Sequence, residues 1–304
     1  MDDLTAEIDG HVLRLSNLGK PLYPDGFTKG EIIDYYVRVA PVLLPHLRDR
    51  VVTRLRLPAG VAGTGFFEKN APPGLPGWVR RHVVTSPDST VTYVVVADTA
   101  TLAVLANLAS LEIHTPQWRI PGGRSGALNL DATPPPSDQV IVDLDPGPGT
   151  TTADQARAAL LIAARLAADG ILGLPRTSGG KGLQIQAPIV PADGRAVTAY
   201  VRAIGTELVA THPELFTVSV SPAVRAGKVF VDYNQNLTTR NTISLYSLRA
   251  GDAPTACTPL TWDEVGAAAE GAPLRFTAGE VLDRVQRWGD LADVLLDPIR
   301  PLLP

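Results

Sequence analysis

Two aspartates, Asp143 and Asp145, close the run Val140-Ile141-Val142-Asp143-Leu144-Asp145-Pro146-Gly147. The β-forming residues and the terminal Pro-Gly predict a buried strand ending in a turn. Residues two apart on an extended chain face the same way, so both carboxylates share one face. Side by side and half buried, they repel each other and each resists desolvation. A hard divalent cation such as Mg²⁺ or Mn²⁺ relieves both costs, because these ions prefer oxygen ligands. The pair also fits a strand end that caps a turn and meets solvent. At this point both readings stand.

A third acid lies in Val229-Phe230-Val231-Asp232-Tyr233, after Arg225 and Lys228. A carboxylate in an apolar strand is costly unless it is paired or bound to metal. Between these acids runs Arg176-Thr177-Ser178-Gly179-Gly180-Lys181-Gly182. Its glycines let backbone N–H groups approach an anion, with Ser178 as a donor and Lys181 as a point charge. Pro175 and Gly182 stand where a Walker A loop needs Gly and Ser or Thr, so it is not one. Three carboxylates from two strands beside a basic glycine-rich hairpin compose a metal-dependent nucleotidyl transfer site. Two ions about 4 Å apart would activate the attacking oxygen and stabilise leaving pyrophosphate. Arg225 or Arg249 would offset phosphate charge.

Several elements must position these groups. His11 to Ser16 alternates like a short strand. Thr28 with Glu31 forms a capping box for a helix that buries Ile32, Ile33, Tyr36, Val39 and Leu43. Val51 to Leu57 reads as a strand with one charged face, carrying Arg54 and Arg56. Further strands are expected at Thr92–Val96, on both sides of the glycine hairpin, and at Lys228–Tyr233. Helices are expected at Thr99–Ser110, Thr152–Ala168 and Val197–Ala210, with a final helical region from Trp262. Residues 120–138, rich in Gly, Pro and Ser, read as a loop and an internal boundary. Alternating strands and helices indicate an α/β or α+β fold.

The 304 residues suffice for a full core, and an apolar fraction of 45% is ordinary for a globular protein. A single cysteine, Cys257, excludes an intrachain disulfide and a cysteine-rich zinc site. No apolar stretch approaches the roughly 20 residues of a membrane span, and a cytoplasmic, nucleoid-associated protein is expected. Net charge is −4, yet residues 20–85 hold ten Lys/Arg against five Asp/Glu. Residues 250–304 hold four Arg, no Lys and nine Asp/Glu. A basic front half attracts a polyanion even when the total is acidic.

The motifs DLDPG, SGGKGL, RAGKVFVDYNQN and LYSLRA occur in that order and together resemble one family. It is the polymerase domain of bacterial DNA ligase D and its stand-alone relatives, within the archaeo-eukaryotic primase superfamily. The likeness runs from about residue 11 to 290. It implies an α+β primase-like fold with two β-sheets flanked by helices and the active site in the cleft between them. The whole chain would be a single domain. A subdomain of about 1–130 would hold DNA, and one of about 136–290 would carry catalysis. Asp143, Asp145 and Asp232 would ligate two Mn²⁺ or Mg²⁺ ions. Ser178, Lys181, Arg225, Arg249 and His114, the last in LEIHTPQWR, would lie near a nucleoside triphosphate.

The front half resembles the same family. LSNLGKPLYP followed by TKGEIIDYY is similar to its pocket for a 5′-phosphate beyond a gap, with Asn17, Lys20 and Lys29 in place. FFEKN is similar to the segment that meets template DNA, so Phe66 and Phe67 would stack on bases and Lys69 would touch backbone. The chain departs from the family at one position, with Gln184 in KGLQ where the family has KGLH. The family histidine would contact nucleotide phosphate, and losing a charge-assisted bond of roughly 1.5–3 kcal/mol at Gln184 predicts slower turnover or a nucleotide KM raised by about 10- to 100-fold.

The implied function is a primase-polymerase that fills short gaps in end joining or excision repair and favours ribonucleotides. Its expected partners are gapped or broken DNA with a 5′-phosphate, nucleoside triphosphates, a separate DNA ligase and an end-binding repair protein. A gap- or end-binding module with weak or lost polymerase activity is the alternative. A metal-dependent sugar-nucleotide transferase, which also uses Asp-x-Asp, is a third reading, and the 5′-phosphate pocket argues against it.

Overall fold

A computed structural model describes residues 3–86, 88–123, 126–297 and 299–304. The N-terminus is a hairpin of β1 (Leu4–Ile8) and β2 (His11–Leu15), followed by helix α1 (Lys29–Leu47). Next come β3 (Val51–Arg56), β4 (Phe66–Glu68), β5 (Arg81–Ser86), β6 (Ser89–Val95), α2 (Thr99–Asn107), β7 (Ser110–Thr115) and β8 (Ala127–Asn129). The middle of the chain is β9 (Ser137–Pro146), α3 (Thr152–Ala168), β10 (Leu174–Thr177), β11 (Leu183–Ala192) and α4 (Gly194–Thr211). Then follow β12 (Phe216–Thr217), α5 (Pro222–Arg225), β13 (Val229–Asp232), β14 (Thr242–Ile243), β15 (Leu248–Arg249) and β16 (Thr255–Ala256). Two helices, α6 (Trp262–Ala269) and α7 (Ala278–Trp288), complete the set.

The strands build two principal sheets, and the fold is α+β. One has the order β14-β7-β3-β6-β5-β8, with β4 added beside β3; the other runs β10-β11-β9-β13-β12. Each has its own apolar core. Val52, Val94 and Val96 of the first pack with α1 and α2 residues such as Ile32, Val39, Leu102 and Leu105. Val140, Val142 and Leu144 of β9 pack with Ala159 and Ile162 of α3 and Val201 and Ile204 of α4. The two-residue period of β9 therefore spends its apolar face on helices and turns its aspartates the other way.

The predicted capping box is present, with the Thr28 side chain accepting from the Glu31 amide and Glu31 returning to the Thr28 amide. Helix α1 continues past Pro41 and Pro45 to Leu47. The charged face expected for β3 is not exposed. Arg54 is fully buried and donates to the carbonyls of Asn70 and Glu68 and to the Glu68 carboxylate, 3.1 Å away. Strand β4 covers it, an interaction invisible to local alternation. The expected loop at 120–138 contains β8, parallel to β5, and the start of β9. Only Leu128 of β8 is buried, so no periodic signal marked it. Arg124 and Ser125 lie outside the described residues. Among the described residues no helix is long and apolar enough to cross a membrane.

Candidate active site

Register brings the acids together. Asp143 on β9 is directly opposite Asp232 on β13 and Gln184 on β11, and Gln184 is opposite Arg176 on β10. One cross-strand row therefore reads Arg176, Gln184, Asp143, Asp232, and Asp145 stands two residues further on. Carboxylate oxygens of Asp143, Asp145 and Asp232 all lie within 4.8 Å of one another. Burial raises the Asp143 carboxyl first, then the charge of Asp145, to about 7, against a modest pull from a Gln184 hydrogen bond. Burial also raises Asp145, opposed by Arg225, whose guanidinium is 3.9 Å from it. Asp232 is oriented by the Asn234 amide and by Gln235 Nε2, which both donate to it. Three hard oxygen donors that repel one another fit a divalent cation. Such an ion would bring Lewis acidity and a means of lowering the pKa of an attacking hydroxyl.

Glycine is required at two places nearby. A Cβ on Gly147 would lie 1.6 Å from the Arg225 carbonyl oxygen, so only glycine lets the Arg225 segment close on the DLDPG turn. Gly179 has φ +73°, and a Cβ there would sit 2.9 Å from the backbone of Ala256 and Cys257. The hairpin is thereby pressed against the β15–β16 ribbon. A cavity of about 590 Å³ results, lined by Asp145, Ser178, Lys181, Arg249 and Arg275 among others. Ser178 Oγ accepts from the amides of Gly180 and Gly182, which shapes the loop.

Across the cleft, His114 Nε2 is 2.8 Å from Glu112 Oε2. Glu112 also accepts from Arg249 (3.3 Å) and from the Ala250 amide (2.9 Å). Burial opposes its ionisation, yet the His114 bond and Arg249 together hold its carboxyl below the usual range. The sequence reading did not include Glu112. Its signal was the spacing Glu112-x-His114, which puts both on one strand face. Arg176, buried opposite Gln184, was also missed, because nothing local marks a strand arginine as buried.

The remaining predicted residues fall in two places. Lys20 Nζ donates to the Pro58 carbonyl (2.7 Å) and Lys29 Nζ to that of Asn107 (2.9 Å). Burial lowers the pKa of Lys29, and the charge of Lys20 lowers it further. Asn17, at φ 54°, starts the turn that joins them. Tyr23 of this turn donates to the Arg249 carbonyl, tying it to the cavity that Arg249 lines. Phe66 and Phe67 are both exposed, at 46% and 61%, so neither is a core residue. Phe67 is edge-on to His114, with ring centres 5.4 Å apart. Lys69 and Phe67 line a second cavity, of about 480 Å³.

A family model described as LigD, primase-polymerase domain, matches residues 28–292. The chain belongs to the LigD primase-polymerase family. Nucleotidyl transfer is the chemistry of that family. This primase-polymerase domain is 40% identical over 281 residues to the multifunctional non-homologous end joining protein LigD of Mycolicibacterium smegmatis, with 92% of the chain covered. It is 32% identical over 267 residues to the bifunctional LigD of Bacillus subtilis, covering 86% of the chain. The chain spans only 35% and 40% of those two proteins. The solved polymerase domain of Mycobacterium tuberculosis ligase D in complex with DNA superposes with a TM-score of 0.87 at 39% identity. That match covers 93% of this chain and 97% of the other.

The repulsion among the acids has a stability consequence. Folding raises the pKa of Asp143 from 3.8 to about 7, so the metal-free protein loses stability as pH rises through that window. Asp143→Asn stays neutral. In EDTA its melting temperature should exceed that of the parent by a margin that grows between about pH 4 and about pH 7. Excess Mn²⁺ should reverse the order at neutral pH. Thermal melts across pH, with and without metal, make the measurement, and a margin independent of pH would refute the mutual repulsion.

Proposed function

We propose that this chain is a DNA-dependent primase-polymerase that fills short gaps during end joining or excision repair. The single observation that carries the reading is the juxtaposition of Asp143, Asp145 and Asp232 with the cavity of Ser178, Lys181 and Arg249. In this scheme residues of about 136–290 perform the chemistry and residues of about 1–130 hold the DNA. Lys181, Arg225 and Arg249 bind and orient the triphosphate, and the glycine-rich turn supplies backbone donors. The third carboxylate, Asp232, positions the primer hydroxyl and takes up its proton. His114, held by Glu112, stands beside the nucleotide. Two Mn²⁺ or Mg²⁺ ions and a preference for ribonucleotides complete the reading.

Lys20 and Lys29 are close enough for their charges to act on each other, and each ammonium is held by a backbone carbonyl, an arrangement suited to a terminal 5′-phosphate. Exposed Phe66 and Phe67 suit stacking on template bases. The curated relatives are named for non-homologous end joining. Partners of this chain would be a DNA ligase and an end-binding repair protein, on the same or separate chains.

One observation favours the second reading, a gap-binding module with weak polymerase activity. Gln184 Nε2 donates to Asp143 Oδ1 at 3.1 Å, so the amide occupies an oxygen that would otherwise face a metal. Gln184→His should raise kcat/KM for nucleotide by about tenfold or more without changing affinity for gapped DNA. Single-nucleotide insertion kinetics decide this, and a fall in activity would mean the cleft is built around the amide.

Extension of a gapped duplex with ribo- and deoxynucleotides tests the main proposal. Asp145→Ala should abolish extension and leave DNA affinity within about threefold, an effect of under 1 kcal/mol. Normal extension by that variant would place the chemistry elsewhere. Lys20→Ala should cost roughly 1.5–3 kcal/mol in binding to a gap with a 5′-phosphate, and nothing on 5′-hydroxyl DNA. Equal weakening on both substrates would reduce Lys20 to a general backbone contact.

A further inference from the structure

The row of residues that register builds across the sheet of the aspartates ends on a cation. Arg176 on β10 is only 2% exposed and stands opposite Gln184 on β11, which stands opposite Asp143 on β9. Two atoms of this row, Arg176 Nε and Gln184 Oε1, are buried without a hydrogen-bond partner. The first can only donate and the second can only accept. Opposed residues of an antiparallel pair bring their Cβ atoms to about 4.5–5.5 Å, so the two side chains are neighbours.

Chemistry dictates which way the amide points. An ionised carboxylate only accepts, so the NH₂ end of Gln184 is the one that meets Asp143 Oδ1, at 3.1 Å. Its oxygen is thereby turned away from the acid and needs a donor. The Arg176 guanidinium contacts the thiol of buried Cys257, a weak acceptor that satisfies little of a cation. It also lines a cavity of about 20 Å³ with Gln186, whose Oε1 is likewise buried without a partner. That space holds about one water and is far too small for a phosphate. Arg176 is therefore out of reach of a substrate, and its charge acts through a neighbour. The cations around the acids divide accordingly. Burial opposes ionisation of both Asp143 and Asp145; Arg225 and Arg249 counter it at Asp145, and Arg176 is the cation that does so at Asp143.

We propose that Arg176 is a positioning residue for the metal site and acts through the Gln184 amide. The guanidinium donates to Gln184 Oε1, and the amide so fixed holds one oxygen of Asp143, leaving the other for a cation. The contact needs side-chain rotation alone, because register already sets the two residues opposite each other. Charge on one side of an amide strengthens the hydrogen bond made on its other side, and a buried site magnifies the effect. Gln184 is then a link between a permanent cation and a metal ligand. The inference rests on the metal-dependent reading above and gives a role to a residue which that reading leaves unused.

The test is a Mn²⁺ titration of the full chain, without DNA or nucleotide, in which electron paramagnetic resonance counts the free ion. Arg176→Met and Arg176→Gln should each weaken Mn²⁺ binding about tenfold, and Arg176→Lys should recover most of the loss. Asp145→Ala should abolish the same isotherm, which locates the counted ion at the three acids. In a Gln184→Met background the Arg176 substitutions should cost nothing further, whereas in a Gln186→Met background they should cost the full amount. An arginine that merely supports the fold would give losses that add in both backgrounds, and that result overturns the link. Unchanged Mn²⁺ binding by the neutral variants overturns it too, as does a loss cancelled by Gln186→Met in place of Gln184→Met. Arg176→Gln keeps a polar side chain, so it decides the matter if circular dichroism shows that Arg176→Met fails to fold. Each of these failures leaves the polymerase reading standing. Wild type that binds no Mn²⁺ at all overturns the metal-dependent reading and this inference together.

Discussion

Like charges held together at a partly buried site are the constraint around which this molecule is arranged. Asp143 and Asp232 face each other across adjacent strands, and Asp145 completes a set whose oxygens lie within 4.8 Å. In a low-dielectric setting such a cluster destabilises the fold that contains it. It persists because β9 is held by a long antiparallel ladder with β11, a shorter one with β13, and on one face by α3 and α4. Apolar burial on the helical face offsets the electrostatic cost on the other. Asp143 and Asp145 thus sit on the central strand of their sheet, and Asp232 on the strand beside it, where neighbours on both sides hold them in place.

The surroundings of that cluster are graded in charge. Arg225 approaches Asp145 without a short ion pair and stacks over Phe230, 4.5 Å from its ring centre. Arg249 is divided between Glu112 and the open cavity. Neither cation neutralises the acids outright, so the carboxylates retain capacity for an ion while the cavity beside them retains cations. Glu112 makes this possible: one buried acid holds His114, Arg249 and the Ala250 amide at once. Removing it would free three groups, and burial makes the leftover charges expensive.

The cleft also needs its two sheets fixed relative to each other. Asp138, at the start of β9, is buried and pairs with Arg50 at 2.7 Å and Arg119 at 2.8 Å. Arg50 directly precedes β3, so this ion-pair network joins the strand that leads to the aspartates with the strand beside His114. Gln139 extends the contact, bonded to Gln117, Gln186 and Arg50. Buried polar networks of this kind add less stability than apolar packing but are costly to break, which suits a joint whose geometry matters. The turn carrying Lys20 and Lys29 is tied in through Tyr23 and Arg249, so a ligand at one end meets the same frame as a ligand at the other.

Much of the candidate site was legible in the chain alone, because its signals are local. The period of two in Val140–Asp145 determines that both aspartates share a face, and the Thr28/Glu31 and glycine-rich spacings specify a helix start and a turn. Leu183 and Ile185 alternate with Gln184 and Gln186, which set the amide on the polar side of its strand. Phe66 and Phe67 are singled out by the likeness of FFEKN to a template-contacting segment and not by periodicity, since alternation alone would bury one of the two. What the sequence could not determine depends on partners distant along the chain. Register alone aligned Asp232, Asp143, Gln184 and Arg176 in one row. Only the arrival of β4 turned Arg54 from a surface charge into a buried one, and only the cleft revealed Glu112 as the hub for His114 and Arg249. Short elements such as β8 bury a single side chain and carry no periodicity, so pairing across the sheet, and not local pattern, decided their existence.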